Sequence, residues 1–443
     1  MFRCEDATVR RLLLEGQFGL ERENLRVTTK GFLSHTPHPF PDDKHIVRDF
    51  SECQTEINTS PCSSAQEAVD ELIRHDHTIQ RGLYRLPERE YLWPFSNPPY
   101  IRSEEDIPVA QFAGQEEKTA YRAYLSDRYG RYIMTFSGIH VNFSFLEQLI
   151  ERNFELDDET DYQTYKNKLY LTLAERASSY GWILTAVTAA SPIMDSSYVE
   201  KGILGEDTFF NGMASLRSSE FGYWNFFAPI FDYSSICGYV DSIKKYVEEG
   251  FLAQPSELYY PIRLKSAGLY DLDSMRKNGA SHIELRMFDL NPLVPHGLDV
   301  RDVEFAHLLL IWLICTEHKH LPPYVQAQII HNFKAAAHYD LRTVKILFQN
   351  GAASPVAHAG LAVIGQMQAF FRSLADYDET IAKVKVCDPQ ITAHIEEILA
   401  FEADKFLHPE HRYAWQVRQM YADGFVKKGL ELARSLQENV VMI

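Results

Sequence analysis

Three stretches lying far apart in the 443-residue chain carry acidic and basic side chains at alternating positions: Gly19-Leu20-Glu21-Arg22-Glu23, Asp49-Phe50-Ser51-Glu52-Cys53-Gln54-Thr55-Glu56 and His282-Ile283-Glu284-Leu285-Arg286. On an extended strand alternate residues share a face, which puts Glu21 with Glu23 and Glu284 with Arg286. If these faces belong to one sheet surface, their carboxylates repel one another, by about 4 kcal/mol per pair near 4 Å at an effective dielectric of ~20. Divalent cations relieve such repulsion. An oxygen-rich set without thiolates favours magnesium or manganese over zinc, and nearby arginines point to phosphate arriving with the metal. The candidate metal set is Glu21, Glu23, Asp49, Glu56, His140 and Glu284; the candidate basic set is Arg217, Arg263, Lys265 and Arg286. Guanidinium forks grip carboxylate or phosphate through paired hydrogen bonds. Taken singly, each of these groups reads equally as a solvated surface residue, and a lone His140 as a hydrogen-bonded structural histidine. The aromatics Phe50, Tyr121, Tyr223 and Tyr259 lie in or near such segments, but among 27 Phe and 24 Tyr position alone assigns them to nothing more than core.

The elements that must position these groups follow from pattern. The first 60 residues read as strands broken by turns at 28–31, 36–39 and 41–43. A helix follows, opened by a capping box of Ser64 and Glu67, with Val69, Leu72, Ile73 and Leu83 near helical spacing. The run from Tyr132 to Ser144 alternates as one strand, with His140, Asn142 and Ser144 together on one side. The acidic patch 157–161 reads as a solvated loop or helix start. A long helix is expected from Tyr165 towards Ala190, and from about Arg301 the chain turns helical, with a break at 351–355. Strands are expected to dominate the first 300 residues and helices the rest, without regular βαβ alternation. The class is therefore α+β with a mostly antiparallel sheet. No internal repeat, low-complexity tract or long linker interrupts the chain, and a single catalytic domain over 1–443 is expected.

Sixty-one acidic against 44 basic residues give a net charge of −17, which repels nucleic acid and anionic membranes and leaves any anionic substrate dependent on a local basic pocket. The first residues hold no apolar run of signal-peptide length, and no run reaches the ~20 apolar residues of a spanning helix; a cytoplasmic location is expected. The apolar stretch Leu308 to Cys315 reads as part of a buried helix. Six cysteines without CxxC spacing favour free thiols, with Cys53 and Cys62 as an open question for redox pairing. P-loop, GxGxxG, HExxH and GxSxG signatures are absent from the sequence. A nucleotide site would have to be built from sheet residues and metal.

Together, 19–27, Thr36-Pro37-His38-Pro39, Asp49-Phe50-Ser51-Glu52, 92–99, 137–144, Ser215-Leu216-Arg217 and 283–292 resemble, in family order, the bacterial glutamate-cysteine ligases. The resemblance implies a glutamine-synthetase-like fold, in which a curved antiparallel sheet forms a funnel around magnesium. It implies ATP-dependent joining of the γ-carboxylate of L-glutamate to the amine of L-cysteine through a γ-glutamyl phosphate. It also assigns roles. Glu21, Glu23, Asp49, Glu56, His140 and Glu284 would serve as metal or metal-shell residues. Arg286 would meet the transferring phosphate, Arg217 the glutamate, and Phe50, Tyr121, Tyr223 and Tyr259 the cysteine pocket. Arg263 and Lys265 would lie near phosphate, and Asp49 is a candidate base for the incoming amine. Met134 stands at an expected strand position that is polar in some relatives. The fused second ligase domain of other relatives is not seen before Ile443, so the dipeptide would pass to a separate glutathione synthetase. Rival readings are a ligase for a different amine, a metal-dependent hydrolase turning over without ATP, and a sensor that binds without forming product.

Overall fold

The computed structural model describes residues 2–200, 208–222, 224–268, 271–317, 319–379 and 389–442, with residues 375–379 described by their backbone alone. Tyr223 and Cys387 lie outside the described residues. Among those described, a seven-stranded sheet is built from β1 (Gly16–Thr28), β2 (Ile46–Arg48), β3 (Gln54–Asn58), β4 (Glu90–Leu92), β5 (Ile139–Phe145), β6 (Ile262–Lys265) and β7 (His282–Phe288). The order is β2-β3-β1-β5-β7-β6, with β4 pairing the far end of β1, and every pairing is antiparallel. The register between β5 and β7 slips between Ile139 and Val141. A bulge of this kind bends a strand and sharpens its twist.

The alternation predicted for β1, β5 and β7 has a packing cause. Phe18 and Leu20 of β1, Ile139, Val141 and Phe143 of β5, Ile262 and Leu264 of β6, and Ile283 and Leu285 of β7 join one apolar core. That core is completed by α1 (Ala65–Tyr84), α2 (Tyr162–Tyr180), α3 (Trp182–Thr188), α4 (Val300–Cys315), α5 (Val356–Glu379) and α6 (Pro389–Leu407). Each such side chain taken out of water contributes ~1.5–3 kcal/mol. With one face so committed, the polar residues between them point the other way. A second core, around Leu25, Phe50, Trp93, Phe95 and Phe425, packs the end of β1 beneath the C-terminal helix α7 (Phe425–Val441).

Several local expectations hold and several do not. Ser64 caps α1 by accepting from the Glu67 N–H, although the Glu67 carboxylate returns to Ser63 rather than to Ser64. Leu308 to Cys315 lies within α4, most of it buried. Asp161 caps α2, so the acidic patch is a helix start. The expected strand from Tyr132 is shorter: Ile133–Thr135 form a 3-10 turn, the strand begins at Ile139, and Met134 is buried in the second core. The expected helix from Tyr165 to Ala190 is two helices meeting at Gly181, where a Cβ would lie 2.6 Å from the Ala177 carbonyl. Strands do not dominate the first 300 residues; helices such as α1, α2 and Ile236–Glu248 alternate with them because each sheet edge and face needs an apolar cover. Asp49 to Glu56 is not one strand but a tight connection followed by β3.

Candidate active site

Residues directly opposite one another in a sheet share a face. Glu21 lies opposite Asn58 of β3 and His140 of β5, and Glu23 opposite Glu56. Asn142 lies opposite Glu284, and β6 sets Arg263 against Glu284 and Lys265 against His282. The face away from the apolar core therefore carries Glu56, Glu23, Glu21, His140, Asn142, Glu284, Lys265 and, by alternation, Arg286.

Glu21, His140 and Glu284 form its centre, each offering a ligand atom within 4.8 Å of the other two. The His140 Nδ1–H donates to Glu21 Oε2 at 2.9 Å, and Asn142 donates to the other Glu21 oxygen at 3.0 Å. Burial, then the Arg286 charge, holds the His140 pKa down at about 4, which keeps the ring neutral. With Nδ1 committed, the ring's lone pair is on Nε2, which is buried and has no hydrogen-bond partner. Glu284 Oε1 sits 3.1 Å from Lys265 Nζ and 3.1 Å from Arg286 Nη1. Burial disfavours its charge, but Arg286, Lys265 and Arg263 together hold its pKa well below the usual range. Burial and Glu284 push Glu21 up as well, and the His140 hydrogen bond and charge, with Lys265, outweigh them.

Glu23 and Glu56 lie on the opposite side of the balance. Burial, then the charge of Asp49, raises the Glu23 pKa to about 8, and Glu56 is raised well above its usual value by burial, Asp49, Glu21 and Glu23. A site whose carboxylates must take up protons to coexist, beside a neutral imidazole with an unused buried nitrogen, is a fit donor set for hard divalent cations. Asp49 stands at the rim, where Arg122 donates to it at 2.8 Å.

The basic groups reach this face by different routes. Arg217 donates to the Arg286 carbonyl at 2.8 Å and passes so close to Gly138 that a Cβ there would meet its guanidinium carbon at 2.2 Å. The missing Cβ at Gly138 leaves room for the guanidinium to pass; the Gly138 N–H also donates to Glu23 Oε2 at 3.1 Å. Arg263 turns its guanidinium to the Leu258 and Ser256 carbonyls and brings its charge to Glu284. Tyr259 lines a small cavity together with Arg217 and Arg286. The Tyr121 hydroxyl accepts from Ser256 at 3.2 Å, beside the Arg122 that grips Asp49. Phe50 is fully buried in the second core. A larger cavity of about 750 Å³ opens at the start of β1, lined by Gln17, Glu21, Asn58, Asn142, Lys265 and His282 among others.

Sequence reasoning missed Asn58, Arg122, His282 and Asp289. Asn58 and His282 follow from the same alternation as Glu56 and Glu284 and were legible. Arg122 lies on the helix Glu116–Tyr129, whose docking no pattern encodes. Asp289 is a buried carboxylate that accepts from Ser191 at 2.6 Å and from Ser215 at 3.0 Å, behind Arg217. It anchors the segment leading to Arg217 through contacts spanning many residues.

The chain matches the profile of the glutamate-cysteine ligase family over residues 2–252 and 228–336. It is 35% identical over 449 aligned positions to the glutathione biosynthesis bifunctional protein GshAB of Listeria monocytogenes, covering 98% of this chain and 56% of that protein. The chain thus spans about half the length of the curated relatives it matches. Among solved structures, a bifunctional glutathione synthetase from Pasteurella multocida superposes with a TM-score of 0.80 at 27% identity, covering 98% of this chain and 53% of that one. A glutamate-cysteine ligase from Francisella tularensis in complex with AMP gives a TM-score of 0.80 at 21% identity over 96% of this chain and 89% of its own, a likeness of fold. With the α+β architecture shared and the profile matched from β1 through α4, this chain belongs to the glutamate-cysteine ligase family.

Proposed function

We propose that the chain joins the γ-carboxylate of L-glutamate to the amine of L-cysteine at the expense of ATP, the first step of glutathione synthesis. One observation carries the reading. A single sheet face holds Glu21, Glu23, Glu56, His140 and Glu284, with Lys265, Arg286 and Arg217 at their side. Family membership supplies the reaction class that this arrangement suits.

A carboxylate is a poor electrophile and must be activated. A γ-carboxylate oxygen attacks the terminal phosphorus of ATP and ADP departs, through a transition state whose spread negative charge calls for fixed positive groups. In this reading Arg286 and Lys265 would meet the phosphate, and Arg217 the glutamate. Glu21, Glu23, Glu56, His140 and Glu284, with Asp49 at the rim, are the residues that would hold magnesium, or manganese; bound there, such cations neutralise phosphate charge. The large cavity at the start of β1 has room for the nucleotide, within the ~300–1,000 Å³ of ordinary ligand sites. The cysteine amine then attacks the acyl carbon, phosphate departs and the amine loses a proton, with Asp49 as the proposed acceptor. Phe50, Tyr121, Tyr223 and Tyr259 are the residues proposed for a pocket that takes a small, weakly polar side chain.

The dipeptide passes to a glutathione synthetase. The bifunctional names of the relatives favour a second activity sharing a chain with the first over the separate enzyme expected from sequence. No helix among the described residues is long and apolar enough to cross a membrane, and a cytoplasmic location is part of the proposal. The test is purified protein with ATP, magnesium, glutamate and an amine panel that includes cysteine, with ADP followed and the product identified by mass. γ-Glutamylcysteine formed only with ATP is the expected result. Preference for another amine selects the related ligase, turnover without ATP the hydrolase, and binding without product the sensor.

A further inference from the structure

A second cluster of ligating side chains lies where α1 packs beside β3, separate from the Glu21, His140 and Glu284 group. His45 precedes β2, and Glu71 and His75 lie one turn apart on α1, where an i, i+4 spacing puts both on one helix face. One ligand atom of each of the three falls within 4.8 Å of the others, and all three residues are half-buried. The His45 and His75 rings stack at 4.9 Å, and His75 Nε2 is 3.6 Å from Glu71 Oε1. The group is braced from outside: His45 Nδ1 is 2.8 Å from the Asn58 carbonyl, and Glu71 Oε1 accepts from the Ser60 N–H at 2.8 Å. Glu71 Oε2 meets the Cys62 thiol at 3.3 Å. A ring held by a backbone carbonyl through Nδ1–H presents Nε2 as its lone pair, the arrangement that orients metal-binding imidazoles. Arg74 approaches Glu71 to 3.9 Å but is two-thirds exposed, which leaves the cluster accessible.

We infer that His45, Glu71 and His75 form a second cation site, of different selectivity from the carboxylate face, that takes zinc or a similar imidazole-seeking divalent ion. Two imidazoles and one carboxylate suit such an ion, whereas magnesium prefers oxygen donors and keeps its waters. The placement gives the site a consequence. Glu71 holds Ser60, and the neighbouring Asn58, Thr59 and Pro61 line the large cavity, so a bound ion ties the rim of that cavity to α1. The inference does not depend on the proposed ligase activity.

The probe is zinc alone, titrated by calorimetry into the full chain in excess magnesium, added as a competitor for oxygen-rich carboxylate groups. Wild type is expected to bind one zinc that magnesium does not displace. His45→Gln and His75→Gln should each weaken it by at least about tenfold, since loss of outer supports alone already costs ~10–100-fold. Glu284→Gln should retain it, and circular dichroism and melting of each apo variant establish that it is folded. No magnesium-resistant zinc in wild type, or full zinc binding by the folded His45→Gln and His75→Gln variants, would overturn the inference. So would loss of that zinc in folded Glu284→Gln.

Discussion

At Glu284 one carboxylate meets three partners: Lys265 and Arg286 at 3.1 Å each, and His140 Nδ1 at 3.8 Å. Glu284→Gln removes the charge that holds both cations in place, and is expected to lower ATP-dependent phosphate release by at least about 100-fold, the scale of losing one preorganised electrostatic group. Far-UV circular dichroism should be unchanged, because the substitution is isosteric. Asp49 is the residue where two roles compete. As the base it serves only the amine step, so Asp49→Asn is expected to slow cysteine-dependent turnover by about 100-fold while positional isotope exchange of ATP with glutamate alone continues. Equal loss of both would make it a metal or positioning group. Which residues alternate was legible in the sequence; their charge state was not. Glu21 and Glu23 are two apart on one strand, yet their titrations move in opposite directions, because His140 and Lys265 come to one and Asp49 to the other.

Helices pack on one another and on the sheet through buried ion pairs as well as apolar contact. Lys405 of α6 lies between Asp302 of α4 at 2.9 Å and Glu402 at 2.8 Å, wholly buried, and Tyr413 donates to Asp302 at 3.1 Å. Lys405→Met leaves two carboxylates without their cation and is expected to cost about 3–5 kcal/mol of unfolding free energy, read from urea titration. Arg22 makes a similar link on the core side of β1, paired with Asp76 of α1, which also receives His296 at 3.2 Å. Burial opposes the Asp76 charge, and Arg22 and His296 overcome it, so that its pKa falls from 3.8 to about 2. A depressed folded value means the contribution is complete above pH 4 and is lost as the pH falls towards 2. It amounts to about 2 kcal/mol. Across that window the stability of Asp76→Asn should fall less steeply than that of wild type in denaturant titrations. Capping signals such as Ser64 announced where α1 starts, whereas the split at Gly181, where a Cβ would meet the Ala177 carbonyl and the Phe333 ring, and the 3-10 turn at Ile133 were not announced.

Across the whole molecule, a net charge of −17 coexists with a site proposed for anionic substrates, and several of the chain's carboxylates are concentrated on one face. A cation bound there and absent from the unfolded chain stabilises the fold by mass action. Magnesium at 100 times its dissociation constant is expected to add about 2.7 kcal/mol, measured in denaturant with and without chelator. Glu56→Gln should blunt that gain. The sequence by itself determined the periods: alternation that commits one strand face to apolar burial leaves Glu21, Glu23, Glu56, His140 and Glu284 on the other, whatever the order of strands. Strand order, the bulge after Ile139, the threading of Arg217 past Gly138 and the docking of Arg122 on Asp49 were decided only in tertiary structure. The physical reason is range. Periodicity records what each residue does relative to its chain neighbours, whereas these contacts join segments many tens of residues apart, and their energies exist only once both have been brought together.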